Sequence, residues 1–313
     1  LVFQPTLFVN ETTRSLTISD MYDDQADVTL FRGDRIDLLQ QIPDRAAQLI
    51  VTSPPYNIGK EYEPRLSLDH YIATQEQTIV QAVRCLSDTG SICWQVGNHV
   101  DNGEIVPIDM ILYPIFKRLG LKMRNRIIWT FGHGLHTTHR FSGRYETIIW
   151  FTKSDDYFFN VDPVRVTQKY PGKKHFKGSK KGEYSGNPLG KNPADVWDIP
   201  NVKANHVEKT DHPCQFPIGL IERLILSMTQ EGDLVIDPYI GVGSTAVAAY
   251  RHKRKAAGAG ITSNYLHTAR ERLILESEGK LKTRPMNQPT HEPDPNTSIV
   301  KNPFLESSDD EAD

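Results

Sequence analysis

Two short stretches carry residue types whose spacing could do chemistry. The first is Thr52-Ser53-Pro54-Pro55-Tyr56, which ends the apolar run Ala47–Thr52. Neither proline can donate to a β-ladder, so the run stops there and a rigid, extended backbone follows. Its carbonyls are free to face a cleft, Ser53 offers a hydroxyl acceptor, and Tyr56 offers a ring able to stack on a planar ligand. A proline-rich turn capped by an aromatic would contain the same residues and do no chemistry. The second stretch is Asp237-Pro238-Tyr239-Ile240-Gly241-Val242-Gly243-Ser244-Thr245. Glycines let the chain turn tightly and let a ligand approach the backbone with no Cβ in the way. The free N–H groups of a following helix attract anionic groups. Taken alone, this stretch also reads as a plain structural turn. It is neither a Gly-Lys-Ser/Thr phosphate loop nor the GxGxxG of dinucleotide sites.

Both stretches sit where a strand pattern gives way to something else. Residues 47–52 (AQLIVT), 91–96 (SICWQV), 126–131, 146–152, 233–237 (DLVID) and 256–261 read as strands, whereas 68–86, 108–119, 217–228, 244–251 and 265–275 have helical spacing. Strands alternating with helices predict an α/β fold whose parallel sheet is covered on both faces. Such sheets bind ligands where a strand passes into a helix. Periodicity is lost over 160–207, where Gly, Pro, Lys and Asn accumulate, and a long loop-rich insertion is expected. Five segments follow: an arm over 1–27, a half carrying residues 53–56 over 28–159, the insertion over 160–207, a half carrying the glycine turn over 208–281, and a disordered acidic tail over 282–313.

The 313 residues suffice for a sizeable core, and 38% hydrophobic with 24% charged residues describes a globular chain. No apolar run approaches the about 20 residues of a membrane span, so no membrane partner is expected. No secretory leader is evident. Cys85, Cys93 and Cys214 are too few for a disulfide framework or a metal quartet. His133, His136 and His139 lack a carboxylate or cysteine partner nearby, so no metal is expected. The net charge is −3, but Arg165, Lys169, Lys173, Lys174, Lys177, Lys180, Lys181 and Lys191 face a single acid, Glu183, while the last residues are acidic. Such a patch suits a polyanion, although a solvated lysine-rich loop has the same composition. The absent initiator Met and the Ser/Asp/Glu-rich end read as a catalytic domain cut from a longer polypeptide.

Together and in this order, the two stretches resemble the catalytic and cofactor motifs of the β-class amino-methyltransferases of DNA. The resemblance runs from about Leu30 to Leu275. Phe31-Arg32-Gly33-Asp34 resembles the family segment whose acid helps hold the cofactor. Arg140-Phe141-Ser142-Gly143-Arg144-Tyr145-Glu146 and the run after it resemble the middle motifs, and Asp211-His212-Pro213-Cys214-Gln215-Phe216-Pro217 resembles the segment flanking the glycine turn. The resemblance implies a Rossmann-like fold with a mixed, mostly parallel seven-stranded sheet. It implies S-adenosylmethionine held by Asp34, His212, Pro213, Gln215, Asp237, Pro238, Tyr239, Gly241, Gly243, Ser244 and Thr245. It also implies duplex DNA as partner, met by Lys169, Lys173, Lys174, Lys177, Lys180 and Lys181 of a target-recognition region, and a homodimer. Relatives are mostly bacterial or phage modification enzymes, which implies cytoplasm or nucleoid; a eukaryotic relative would sit in the nucleus. Ser53, Pro54, Pro55 and Tyr56 would be catalytic, with Ser53 and the Pro54 carbonyl accepting from the amine of a base flipped out of the duplex. The Ser form is typical of enzymes acting on cytosine N4 and the Asp form of those acting on adenine N6. An adenine-N6 enzyme and a catalytically weak nucleic-acid-binding relative are the alternatives. Cys214 lies before the glycine turn, unlike the nucleophile of cytosine-C5 enzymes, and reads as a small packing residue. Gly260 stands where the family has a ribose-binding acid, Tyr239 where it has Phe, and Phe216 where Lys is common.

Overall fold

The structure is a computed structural model and describes residues 15–56, 66–132, 134, 136–203, 205–289, 294 and 297. Residues 1–14 of the expected arm, His133, and most of the expected tail beyond 289 lie outside the described residues. In chain order the first half holds β1 (Ile18–Ser19), β2 (Val28–Arg32), α1 (Arg35–Gln41), β3 (Ala47–Thr52), α2 (Leu68–Cys85) and β4 (Leu86–Val96). A hairpin of β5 (Asn98–Asp101) and β6 (Glu104–Pro107) leads into α3 (Ile108–Arg118), β7 (Lys122–Thr130) and β8 (Tyr145–Thr152). After a long connection come β9 (Val196–Asp198), α4 (Ile218–Met228), β10 (Leu234–Asp237), α5 (Ser244–Arg251), β11 (Lys255–Gly260) and α6 (Ser263–Ser277).

One sheet has the order β1-β2-β11-β10-β3-β4-β8-β7-β9. Its strands from β1 to β4 run parallel, β8 is antiparallel to both its neighbours, and β9 is parallel to β7. The expected seven strands are therefore nine. The additions are edge strands of two and three residues, too short to show a pattern. Alternation in β3 sends Leu49 and Val51 into one core with α4 and α5, and Ile50 into the other with α1 and α2. Each such fully buried side chain contributes about 1.5–3 kcal/mol. Ser67 caps α2 by accepting from the His70 N–H at 3.3 Å, and Tyr71, Gln75, Thr78, Ile79 and Ala82 form its buried face.

The two halves of the chain interleave, because β10 and β11 insert between β2 and β3. Residues 185 positions apart thus become neighbours at the carboxyl ends of adjacent strands. Two segments outside these elements also carry structure. Within the insertion, Val166 and Lys191 exchange backbone hydrogen bonds, and His175 and Ser185 donate to Glu183 and Lys173, so the lysine-rich stretch is a hairpin-like arm. Residues 282–289, expected as disordered tail, pack back onto α4: the Arg284 N–H donates to Glu208 at 3.0 Å, and the Met286 Cα lies 3.0 Å from where a Cβ on Gly219 would stand. Among the described residues no helix is long and apolar enough to cross a membrane.

Candidate active site

At the junction of β3 and β10 the carboxylate of Asp237 is fully enclosed. It accepts from Thr52 Oγ1 at 2.5 Å, from Thr245 Oγ1 at 2.6 Å and from the Tyr239 N–H at 3.1 Å. Burial pushes its carboxyl up to about 6, against the three hydrogen bonds, which pull it down. Asp237 therefore ties the end of the serine-bearing strand to the glycine turn and to α5. It is a clasp beneath the site, whereas the resemblance counted it among the residues that hold the cofactor.

Above the clasp opens a cleft of about 290 Å³, close to the smallest small-molecule sites. Ser53, Pro54, Pro55 and Tyr56 line it together with Asp34, His212, Gln215, Pro238, Tyr239, Gly241 and Ser244. Four expected cofactor residues are not in its wall. Asp237 and Thr245 are turned into the clasp. Gly243 (φ 78°) is glycine because a Cβ would stand 2.7 Å from the Ala269 Cβ of α6, and Pro213 is exposed outside the lining. Gly241 does serve the cleft: at φ 50° it turns the chain where few other residues would. Arg272 braces this turn from α6, donating to the Val242 carbonyl at 2.6 Å and to Ser244 Oγ at 3.2 Å.

His212 lies beside Gly241 and edge-on to Tyr265. Burial lowers its pKa to about 4, and Nδ1 accepts the Cys214 N–H at 3.1 Å, which leaves a neutral ring with its proton on Nε2. Gln215 spends its amide on Thr210 and the Glu208 carbonyl and shapes the wall with its body. Cys214, expected to pack inside, is exposed at the cleft, because the helix begins only at Ile218. Sequence reasoning also missed Gln75, whose Nε2 donates to the Tyr239 hydroxyl at 3.2 Å while its buried Oε1 has no partner among the described residues. Its helical spacing with Tyr71 and Thr78 was the available signal. Asp34 is the one carboxylate in the described lining; it caps α1 and pairs with Arg35 at 2.7 Å. Gly260 is also in the wall, and the Gly33 N–H donates to its carbonyl at 3.2 Å, which brings Asp34 to the edge where the family acid would fall.

Ser53 Oγ lies 2.9 Å from the Tyr56 hydroxyl, which is 2.7 Å from Gln95 Oε1 and 3.2 Å from Glu146 Oε2. Gln95 Nε2 donates to the same Glu146 oxygen. Burial raises Glu146 above the usual carboxylate range, and burial followed by the Glu146 charge raises Tyr56 well above the usual phenol range. The six expected DNA-binding lysines (Lys169, Lys173, Lys174, Lys177, Lys180, Lys181) are distant in sequence from this chain of groups. All are exposed on the arm, and among the described residues none is in an ion pair; Lys174 lies over the Tyr184 ring and Lys169 over Tyr170. The loop over 131–144 contains Arg140 and Arg144, contains no acid, and leaves Phe141 99% exposed. Among the described residues no group of three or more His, Cys, Asp and Glu could hold a metal.

A family model described as DNA methylase matches residues 47–271, which takes in every strand from β3 to β11. The chain is 50% identical over 250 residues to the Type II methyltransferase M.BglII of Bacillus subtilis, covering 80% of this chain and 69% of that one. It is 30% identical over 254 residues to the DNA adenine methyltransferase YhdJ of Escherichia coli (strain K12), covering 80% and 83%. Among solved structures, the cytosine-N4-specific PvuII DNA methyltransferase superposes with a TM-score of 0.63 at 19% identity, covering 84% of this chain and 96% of that one. The modification methylase TTHA0409 of Thermus thermophilus, complexed with S-adenosyl-L-methionine, superposes at 0.57 with 24% identity, covering 80% and 96%. These likenesses at low identity concern the fold. On the family match and the 50% identity, the chain belongs to the DNA methylase family of N6/N4 methyltransferases.

Proposed function

We propose that the protein is an S-adenosylmethionine-dependent DNA methyltransferase of the β class that methylates N4 of cytosine. The observation that carries the reading is that Ser53-Pro54-Pro55-Tyr56 and the Gly241 turn line one cleft. The cleft suits the cofactor. Gln75 Oε1, buried with no partner among the described residues, fits a ligand carrying N–H donors, and the start of α5 fits a carboxylate. Asp34, Gln75, Tyr239, Gly241 and His212 would hold it. When bound, S-adenosylmethionine supplies a methyl group on a positively charged sulfur.

The amine of a base is a weak nucleophile because its lone pair is delocalised into the ring. Ser53 Oγ and the Pro54 carbonyl accept its two N–H bonds, which draws the nitrogen toward a pyramidal form and localises the pair. Tyr56 offers its ring to the flipped base, since the amine is unreachable inside the duplex. Catalysis is then orientation and electrostatics, with no covalent bond to the enzyme. Cytosine is favoured over adenine because position 53 is Ser and not Asp. Mass spectrometry of nucleosides from mixed-sequence duplex DNA incubated with protein and cofactor tests the reading. N4-methylcytosine is expected, reduced about 100-fold or more in S53A. N6-methyladenine would overturn the base assignment, and no methylated base would overturn the reading.

A further inference from the structure

Behind Ser53, side chains from three separate segments form one hydrogen-bonded chain that ends in a buried carboxylate. An ionised carboxylate has no hydrogen to give. Glu146 therefore accepts from Gln95 Nε2, and this turns the Gln95 amide so that Oε1 faces Tyr56. The Tyr56 hydroxyl has one hydrogen and two pure acceptors before it, Gln95 Oε1 at 2.7 Å and Glu146 Oε2 at 3.2 Å. Its oxygen is left to accept from Ser53 Oγ–H at 2.9 Å. With its own hydrogen directed inward, Ser53 presents lone pairs to the cleft.

That direction matters to the chemistry. A serine that donates to the base would hold it without polarising the amine; a serine that accepts draws on the N–H bond. We propose that Glu146 is a positioning residue that sets the donor–acceptor direction of this chain, so that Ser53 acts on the base amine as an acceptor. The proposal rests on the reading of the site as one that methylates an exocyclic amine. The groups acting on Glu146 are Tyr56 from the loop after β3, Gln95 from β4 and the Lys203 ammonium from the segment after β9, while Cys214 also acts on Tyr56. Burial outweighs the lowering influence of Tyr56, Gln95 and Lys203 on Glu146, so the carboxyl takes up a proton above the usual carboxylate range. Once protonated it becomes a donor, and the direction of the chain is no longer enforced.

The test compares the full-length wild-type protein with E146Q and Y56F on duplex DNA carrying the target that the wild-type protein methylates. In E146Q, kcat should fall about 10- to 100-fold, while KM for DNA and Kd for S-adenosylmethionine stay within about twofold. The acid limb of the wild-type kcat profile should disappear. Y56F keeps the ring and removes the oxygen, so it should lose kcat and the acid limb in the same way, and the double variant should lose no more than either alone. Y56F carries the test should E146Q fail to fold. Wild-type kcat in E146Q, an unchanged acid limb, or parallel losses in kcat, binding and Tm would overturn the role. No methyl transfer by the wild-type protein would overturn the functional reading and this role with it.

Discussion

Gly97 lacks a side chain because the Tyr56 ring occupies the space: a Cβ there would lie 3.1 Å from Cε2 and 3.2 Å from Cδ2. The ring cannot simply retreat, since its hydroxyl is held by Ser53, Gln95 and Glu146. Gly97 needs no left-handed backbone, so its constraint is purely one of space. G97A should therefore displace the ring proposed to face the base by a few tenths of an ångström and lower kcat by up to about 10-fold. Stability should fall by no more than about 1–3 kcal/mol, the usual range for overpacking. A G97A protein with wild-type kcat in a steady-state assay would mean that the ring position is not critical. Tyr239 makes a contrasting case. Its hydroxyl meets Gln75 Nε2 and Thr78 Oγ1, each at 3.2 Å, so Tyr in place of the family Phe is satisfied within the fold.

The Asp237 clasp makes the junction of β3, β10 and α5 sensitive to pH. Because burial places its folded-state pKa near 6, above the unfolded value, ionising it costs folding stability as pH rises through the interval between the two. An interval of about two pKa units corresponds to about 3 kcal/mol. Asn at this position does not titrate, and the threonine hydroxyls can rotate to meet its amide. Urea unfolding across this interval should show the stability of wild type relative to D237N falling by about 2–3 kcal/mol from acid to neutral pH. A constant difference would mean that burial leaves the proton affinity of Asp237 the same in the folded and the unfolded chain. The strand and the turn that meet here were both legible in the sequence, as apolar runs ended by proline or glycine. The inward direction of Asp237 was not, because a motif records residue types and not which way they face. Likewise Glu146 was read as part of a motif, yet its link to Tyr56 spans 90 positions and exists only because β8 pairs antiparallel with β4. The edge strands β1 and β9 were illegible for want of length, and the packing of residues 282–289 because it depends on backbone contacts with Glu208 and Gly219.

Taken over the whole molecule, a net charge of −3 opposes binding to a polyanion unless the charge is segregated. Segregation is what the fold provides. The arm exposes six lysines without an acid partner among the described residues, and the loop over 131–144 next to Glu146 has arginines and no acid. Each phosphate contact by such a lysine releases counterions, so it steepens the fall of affinity with salt by about 0.9 in the log–log slope. Reversing Lys173, Lys174 and Lys177 to Glu should weaken duplex DNA binding at least about 10-fold at low salt and flatten that slope by about 3. These side chains are exposed, so folding should be little affected, and cofactor affinity should be unchanged because none of the three lines the cleft. Fluorescence anisotropy with one labelled duplex at several salt concentrations measures affinity and slope together. An unchanged slope would remove the arm from the DNA interface and leave other cations, Arg140 and Arg144 of the 131–144 loop among them, to meet the phosphates. A flattened slope with unchanged sequence preference would mean that these lysines hold the backbone while other residues read the bases.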